Sequence, residues 1–165
     1  MNILKSTSEL KKDFFKKENI YFFLIILIGF LLDRTSKIEI IKNFSTQSYY
    51  INDYINLDLT WNIGIGFGFL STDSTLIYNL ISLVIFIVII SLTIILIKSN
   101  TSEKIIYAII IGGALGNFYD RIIFNAVPDF IDLHFKNFHW FTFNVADIFI
   151  TMGILIYLIK EFIKN

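Results

Sequence analysis

The segment LIYNLISLVIFIVIISLTIILI, which runs from Leu76 to Ile97, decides what kind of protein this is. Its 22 residues carry no charge. An α-helix of that length reaches roughly 33 Å, enough to cross a hydrocarbon core of about 30 Å. Over the 165 residues, hydrophobic types make up 55% and charged types only 17%. Soluble domains carry about a quarter charged residues, so this composition predicts an integral membrane protein and excludes intrinsic disorder.

Composition also limits the chemistry. The chain has no cysteine and a formal net charge of +0. It therefore has no disulfide framework, thiol nucleophile or thiolate metal site, and no electrostatic case for binding nucleic acid. His134 and His139 lie five residues apart outside a HExxH pattern, which makes a weak zinc site, so we expect neither a metal nor a cofactor.

Three further apolar segments complete a predicted helical bundle. We predict an all-α membrane bundle of four transmembrane helices, with a small extracytoplasmic β-sheet between helices 1 and 2. We predict that residues 1–165 form a single membrane domain with spans at about 20–36, 76–97, 105–124 and 143–163. A basic leader precedes the first span and contains Lys5, Lys11, Lys12, Lys16 and Lys17. It resembles the start of a secretory signal peptide, but no small-x-small cleavage site follows, which favours an uncleaved anchor.

Basic residues set the predicted orientation. Most of the 14 lysines and arginines lie in the leader, in the loop between the second and third spans, and in the tail. The positive-inside rule then places both termini in the cytoplasm. Ionisable residues near the spans cluster at the opposite, outer ends. Because charge in lipid is costly and marks functional sites, this cluster is the first functional signal.

The outer segment 38–75 carries a strand pattern. From Ile55 to Gly66 apolar and polar residues alternate, a period of two typical of a half-buried strand. The glycines that close this pattern allow a ligand to approach the backbone closely, although a poorly specified loop is the alternative. A second outer segment contains Pro128, which prevents a helix from running through Asp129, so we predict irregular backbone at that aspartate.

Helical spacing groups small and polar residues on the third span. One face carries Gly113, Gly116, Asn117 and Asp120. Glycines there fit close helix packing, and Arg121 beside Asp120 suggests an ion pair. On the first span Asp33 and Lys37 have the i, i+4 spacing of an ion pair that braces the helix end, and Lys37 is also a candidate for a lipid phosphate.

Two carboxylates are candidates for catalysis. Asp129 precedes the fourth span, and Asp147 lies within it, three residues after Asn144. Two close carboxylates in a low dielectric share one proton. The unprotonated group takes a proton from water while the other polarises the scissile carbonyl, as in aspartic proteases. This chemistry requires no metal, cysteine or histidine.

Five motifs, in order along the chain, resemble those of the lipoprotein signal peptidases, the signal peptidase II family. They are LDRTSK from Leu32, WNIGIGFG from Trp61, GGALGNFYDR from Gly112, PDFID from Pro128 and FNVAD from Phe143. The resemblance implies an aspartic endopeptidase of the bacterial cytoplasmic membrane that removes the signal peptide from diacylglyceryl-modified prolipoproteins, cutting before the lipidated cysteine. It implies diacylated prolipoproteins and membrane lipids as partners, and globomycin as an inhibitor.

The resemblance also implies a role for each matching residue. The catalytic dyad would be Asp129 and Asp147. Residues implied to bind substrate are Asn62, Gly64, Asn117, Arg121 and Asn144. Residues implied to support the site are Asp33, Lys37, Asp120, Gly113 and Gly116. The chain departs from the usual motifs at Arg34, Gly66 and Pro128, where glutamine, alanine and an aliphatic or other residue are more common.

The residues alone leave two alternatives open. A small transporter or assembly factor would use its intramembrane acids to bind ions or partners. A lipid-modifying transferase would place a histidine or arginine cluster at its reaction centre, so His134 and His139 would matter. Loss of prolipoprotein cleavage in folded Asp129→Asn and Asp147→Asn variants would separate a peptidase from both.

Overall fold

A computed structural model of the chain describes residues 16–64 and 75–164. These residues form four helices and four strands. In chain order they are α1 (Lys17–Asn43), β1 (Tyr49–Asn52), β2 (Ile55–Asn62), α2 (Thr75–Lys98), α3 (Thr101–Phe124), β3 (Val127–Phe135), β4 (Phe138–Phe143) and α4 (Val145–Lys164). Most of the basic leader, and the part of the glycine motif from residue 65 to residue 68, lie outside the described residues.

The predicted spans correspond to the four helices, with shifted ends. Helix α1 continues to Asn43, beyond the predicted end at 36, because Asp33 and Lys37 are paired inside the bundle and do not end the helix. Helix α4 begins at Val145, since Phe143 is the last residue of β4. Helices α2 and α3 are long and apolar enough to cross a membrane, with mean hydropathies of 3.3 and 1.2 over an 18-residue window.

Helix α3 is the centre of the bundle and packs against α1, α2 and α4. Its glycines permit this close packing. A Cβ at Gly112 would lie 2.9 Å from the carbonyl oxygen of Ile26 on α1, and one at Gly113 would lie 2.5 Å from the carbonyl oxygen of Ala146 on α4. Side chains larger than glycine would therefore separate the helices that carry the buried polar side chains.

The strands form one antiparallel sheet in the order β1-β2-β3-β4. The prediction of a sheet between the first two helices was therefore incomplete, because two of its strands come from the connection between α3 and α4. The prediction of irregular backbone at Asp129 was wrong. Asp129 lies in β3 opposite Thr60 of β2, and Pro128 sits near the start of the strand, where a missing N–H is tolerated.

Candidate active site

Asp129 is held from two sides by asparagine side chains. Strand β3 places it beside β2, where the Asn62 amide donates to Asp129 Oδ2 at 2.8 Å. The Asn144 amide, at the junction of β4 and α4, donates to Asp129 Oδ1 at 2.6 Å. Both carboxyl oxygens are thus fixed by neutral donors, and the side chain is only 2% exposed.

Asp147 is fixed by the N-terminus of its own helix. The Asn144 side chain accepts a hydrogen bond from the Asp147 N–H at 3.0 Å, and the Asn144 N–H donates to Asp147 Oδ2 at 3.2 Å. This reciprocal pair is a capping box, with aspartate in the position usually held by glutamate or glutamine. From α3, the Asn117 amide donates to Asp147 Oδ1 at 2.8 Å. FNVAD therefore carries a helix cap and a candidate catalytic carboxylate in five residues.

Asn144 joins the two aspartates, since its side chain contacts Asp129 and its backbone contacts Asp147. The negative charge of Asp147 is close enough to affect the ionisation of Asp129. Burial first, and then the negative charge of Asp147, raise the pKa of Asp129 to about 7, although the hydrogen bonds from Asn62 and Asn144 oppose the shift. Asp129 therefore holds its proton up to neutral pH, as a proton-sharing pair requires.

Behind the aspartates lies a buried cluster of charges built around Lys37. Its ammonium lies 2.7 Å from Asp33 Oδ2 and 2.7 Å from Asp120 Oδ2, and donates to Asn117 Oδ1 at 2.8 Å. Asp120 also pairs with Arg34. Two cations and two anions thus balance one another. Asn117 links this cluster to Asp147, because it accepts from Lys37 and donates to the aspartate.

Two interpretations of this region were wrong. Asp120 pairs with Lys37 and Arg34, whereas Arg121 donates to the carbonyl oxygens of Gly64 at 2.8 Å and Asn117 at 3.1 Å. The two neighbours therefore do not form the ion pair that their adjacency suggested, because Asp120 pairs with side chains of α1 and Arg121 contacts backbone carbonyl oxygens. Lys37 is 0% exposed, so a lipid phosphate is not its partner. The Asp33–Lys37 pair, in contrast, has the predicted i, i+4 geometry.

Asp33 and Gly116 connect α1 to the first turn of α4. Asp33 Oδ1 accepts a hydrogen bond from the Ala146 N–H at 2.9 Å, next to Asp147. A Cβ at Gly116 would lie 2.3 Å from Asp33 Oδ2, so α3 needs glycine there for the carboxylate to reach both Lys37 and α4. The polar face predicted on the third span is thus the surface on which α1 and α4 are held.

Arg34 is the site residue that sequence reasoning assigned no partner. It appeared only as a departure from a motif, yet it pairs with the buried Asp120 and lies 5.2 Å from the centre of the Tyr119 ring. The sequence did indicate that Arg34 has a partner, because a cation inside a predicted span requires one. The motif residues Gly66, Phe67 and Gly68 lie outside the described residues.

An apolar groove of about 440 Å³ reaches this site from within the bundle. Val84 and Val88 of α2 line one wall, and Ile150 and Ile154 of α4 line the other. Its polar end is formed by Asn117, Arg121 and Asp147. A groove lined by aliphatic side chains suits an apolar peptide segment, and its polar end brings that segment next to a carboxyl group.

A helical membrane fold with two buried, jointly held aspartates at the end of an apolar groove has the features of a membrane aspartic protease. The family model of signal peptidase (SPase) II matches residues 25–163, and the chain belongs to this family. It is a protease of the bacterial inner membrane that removes signal peptides from prolipoproteins. The transporter, assembly-factor and transferase interpretations are thereby set aside.

Curated relatives and solved structures agree with this assignment. The chain is 48% identical to the lipoprotein signal peptidase of Pelagibacter ubique (strain HTCC1062), over 86% of this chain and 87% of that protein. It is 38% identical to the lipoprotein signal peptidase of Anaplasma phagocytophilum (strain HZ), over 90% and 96%. A bacterial membrane enzyme solved by the in meso method at 2.3 Å resolution superposes with a TM-score of 0.71 and 28% identity, covering 86% of this chain and 87% of that one.

Proposed function

We propose that Asp129 and Asp147 are the catalytic dyad of this signal peptidase and that they cleave the prolipoprotein just before its diacylated cysteine. The observation that carries this proposal is the double contact of Asn144, which holds both carboxyl groups at one point. Asn62 donates to the second oxygen of Asp129, and Asn117 donates to the second oxygen of Asp147. These donors are neutral, so they orient the carboxyl groups without the strong pull toward ionisation that a neighbouring cation exerts.

The dyad begins the reaction with one proton. The ionised carboxylate takes a proton from water as the water oxygen bonds to the scissile carbonyl carbon, and the protonated carboxyl gives its proton to the carbonyl oxygen. In the second step the C–N bond breaks. The leaving nitrogen receives the proton that came from water, and a hydroxyl of the intermediate returns a proton to the other carboxylate. The products are a signal peptide carboxyl group and the free amino group of the cysteine.

The charge cluster around Lys37 has a positioning role in this proposal. Its ammonium faces the carboxylates of Asp33 and Asp120, whose negative charges offset most of its effect on the dyad. The Asn117 side chain connects the cluster to the dyad, because it accepts a hydrogen bond from Lys37 and donates one to Asp147. The dyad thus receives a rigid support from the cluster while retaining its shared proton.

The apolar groove is the proposed site of the signal peptide helix. Its walls are aliphatic, and its polar end adjoins Asp147 and Arg121. Arg121 donates to the carbonyl oxygen of Gly64, which ties the connection after β2 to the same end of the groove. Substrate would therefore enter from the lipid with its scissile bond at the dyad, and globomycin would compete for the same space.

The direct test is cleavage of a diacylated prolipoprotein by the purified protein, with the products identified by mass spectrometry. The proposal predicts two fragments that separate immediately before the lipidated cysteine, and loss of both fragments when globomycin is added. Cleavage at another bond, or equal cleavage of substrate without the diacylglyceryl group, would contradict the proposed substrate class.

Cleavage should depend on pH around neutrality. Because the pKa of Asp129 is about 7, raising the pH through this value removes the shared proton, and the rate should fall on the alkaline side with the slope of one proton. The stability of the fold should also decrease as the pH rises. The folded state keeps this proton to a higher pH than the unfolded chain, in which the pKa of the aspartate is near 3.8. The free energy of unfolding therefore falls as the pH rises between these two pKa values. Initial rates over a pH series test the first statement, and a rate that rises through pH values above 7 would contradict it.

We also propose four spans in one domain, with both termini in the cytoplasm and the dyad at the outer face. The sheet that carries Asp129 lies at the same end of the bundle as the ionisable cluster, and Lys98, Lys160 and Lys164 lie at the opposite ends of their helices. Because the chain has no cysteine, single cysteines report topology directly. In intact cells a membrane-impermeant thiol reagent should label Asn137→Cys, and should label Ser102→Cys only after permeabilisation. The reverse labelling would overturn the orientation.

A further inference from the structure

On the outer sheet, three side chains that the peptidase mechanism does not use converge on one point. They are Asp132, His134 and His139, and each places one potential ligand atom within 4.8 Å of the other two. Asp132 and His134 are two residues apart on β3, so they project from the same face. His139 is the register partner of His134 on β4. The β3–β4 hairpin therefore builds the cluster, although its members are spread over eight positions of the chain.

The distances direct both imidazoles at one carboxylate oxygen. His139 Nδ1 lies 2.7 Å and His134 Nδ1 lies 3.5 Å from Asp132 Oδ2, and the two rings stack with centroids 5.3 Å apart. Ligands bound to zinc at about 2.0–2.1 Å lie roughly 3.3 Å from one another in a tetrahedral site. The two nitrogen–oxygen separations fall on either side of that value, and all three atoms lie within 4.8 Å of one another, a spacing that side-chain rotations can adjust around one ion.

Two buried polar atoms of this part of the sheet have no hydrogen-bond partner among residues 16–64 and 75–164. One is Nδ1 of His134, whose side chain is nine-tenths buried, and the other is Oδ1 of Asn56. Asn56 lies on β2 directly opposite Asp132. Buried polar groups are almost always paired. One unpaired atom on His134 and another on the register partner of Asp132 therefore favour a ligand bound at this place in the sheet.

We propose that Asp132, His134 and His139 form a binding site for a divalent transition metal of the zinc type, with Asn56 next to the remaining coordination position. Two imidazoles and one carboxylate suit zinc, whereas calcium and magnesium take sets of oxygen ligands. Lys136, in the hairpin turn, is the cation closest in sequence, and its ammonium lies over the ring of Phe135, 5.4 Å from its centre. His139 is largely exposed, which gives an ion access from the outer solution.

The proposed metal site is separate from the dyad. Asp129 and Asp132 are three residues apart on one strand, so their side chains leave opposite faces of β3. The ion would join β3 to β4 and would steady the strand that carries Asp129 without touching the reacting groups. Metal binding should therefore be independent of the catalytic carboxylates.

Titration of the purified protein with Co²⁺, whose visible absorption reports its ligands, tests the proposal. The protein should carry an affinity tag without histidine and be treated with chelator first. The wild type should bind one Co²⁺ that Zn²⁺ displaces. Affinity should fall about tenfold or more in His139→Ala and in Asp132→Asn, since even outer-shell changes cost that much in metal sites. The matched variant Asp58→Asn, which removes an exposed carboxylate of the same sheet, should bind as the wild type does.

His139→Ala alters an exposed side chain and should fold, and His134→Gln serves as the second ligand variant. Unchanged affinity in these variants would overturn the proposal, as would a wild type that takes up no stoichiometric metal. Weakened binding in Asp129→Asn equal to that in Asp132→Asn would also overturn it, because the ion would then belong to the dyad.

Discussion

Replacing either Asp129 or Asp147 by asparagine is expected to reduce prolipoprotein cleavage by about 10² to 10⁴-fold, the range that a positioned acid or base contributes. Asparagine has nearly the same shape as aspartate, but it cannot hold the shared proton or accept one from water. Rates with purified protein and a diacylated substrate measure the effect. The exposed Asp58→Asn is the matched control and should cleave at the wild-type rate.

The double variant distinguishes a pair from two independent groups. If the two carboxyl groups act on one proton, losing either removes the mechanism, and Asp129→Asn/Asp147→Asn should be no slower than the slower single variant. Multiplicative losses would indicate separate roles. The comparison requires folded protein, which is expected because an asparagine at 147 still offers an oxygen to the Asn144 N–H that caps α4. Substantial activity in either single variant would contradict the assignment.

Replacing Lys37 by methionine should produce the largest loss of stability. Lys37 is fully buried and faces Asp33 and Asp120, so its removal leaves carboxylates in a low dielectric without their common cation. Breaking a buried pair in this way costs about 3–5 kcal/mol. Thermal or denaturant unfolding in detergent measures the change, and the variant should unfold well before the wild type.

The matched control is Lys160→Met, which removes a more exposed ion pair with Glu103 at 3.0 Å. A pair of that kind is worth about 0–1 kcal/mol, so this variant should unfold almost as the wild type does. If the Lys37→Met variant folds, its cleavage rate should drop by about 10²-fold, because Asn117 loses the contact that positions it on Asp147. Equal stability of the two lysine variants would contradict the role given to the cluster.

Local patterns predicted the helices and the pairings within them. An uncharged run such as Leu76 to Ile97 has few alternatives to a helix in lipid, and the four-residue spacing of Asp33 and Lys37 sets their contact directly. Period-two alternation located β2, although the strand ends at Asn62, before the glycines. The pairing of β3 with β2 joins segments about 70 residues apart, which no local pattern specifies.

The errors at the site arose from adjacency in sequence. Arg121 follows Asp120 directly, yet neighbouring residues on a helix point in different directions, and Asp120 instead meets Arg34 and Lys37 of α1. Pro128 correctly excluded a helix at Asp129. It was also taken to exclude regular structure, but a strand tolerates proline near its start, which is where β3 carries it. The histidines received little weight because their convergence with Asp132 depends on the hairpin register.

The central claim is that Asp129 and Asp147 share one proton, and infrared difference spectra of the purified protein test it most directly. The wild type should show a protonated carboxyl band at neutral pH that disappears as the pH rises past about 7. In Asp147→Asn the band should disappear at lower pH, because the negative charge that helps to raise the pKa of Asp129 is gone. A wild type with no such band, or a band that titrates identically in Asp147→Asn, would contradict the account.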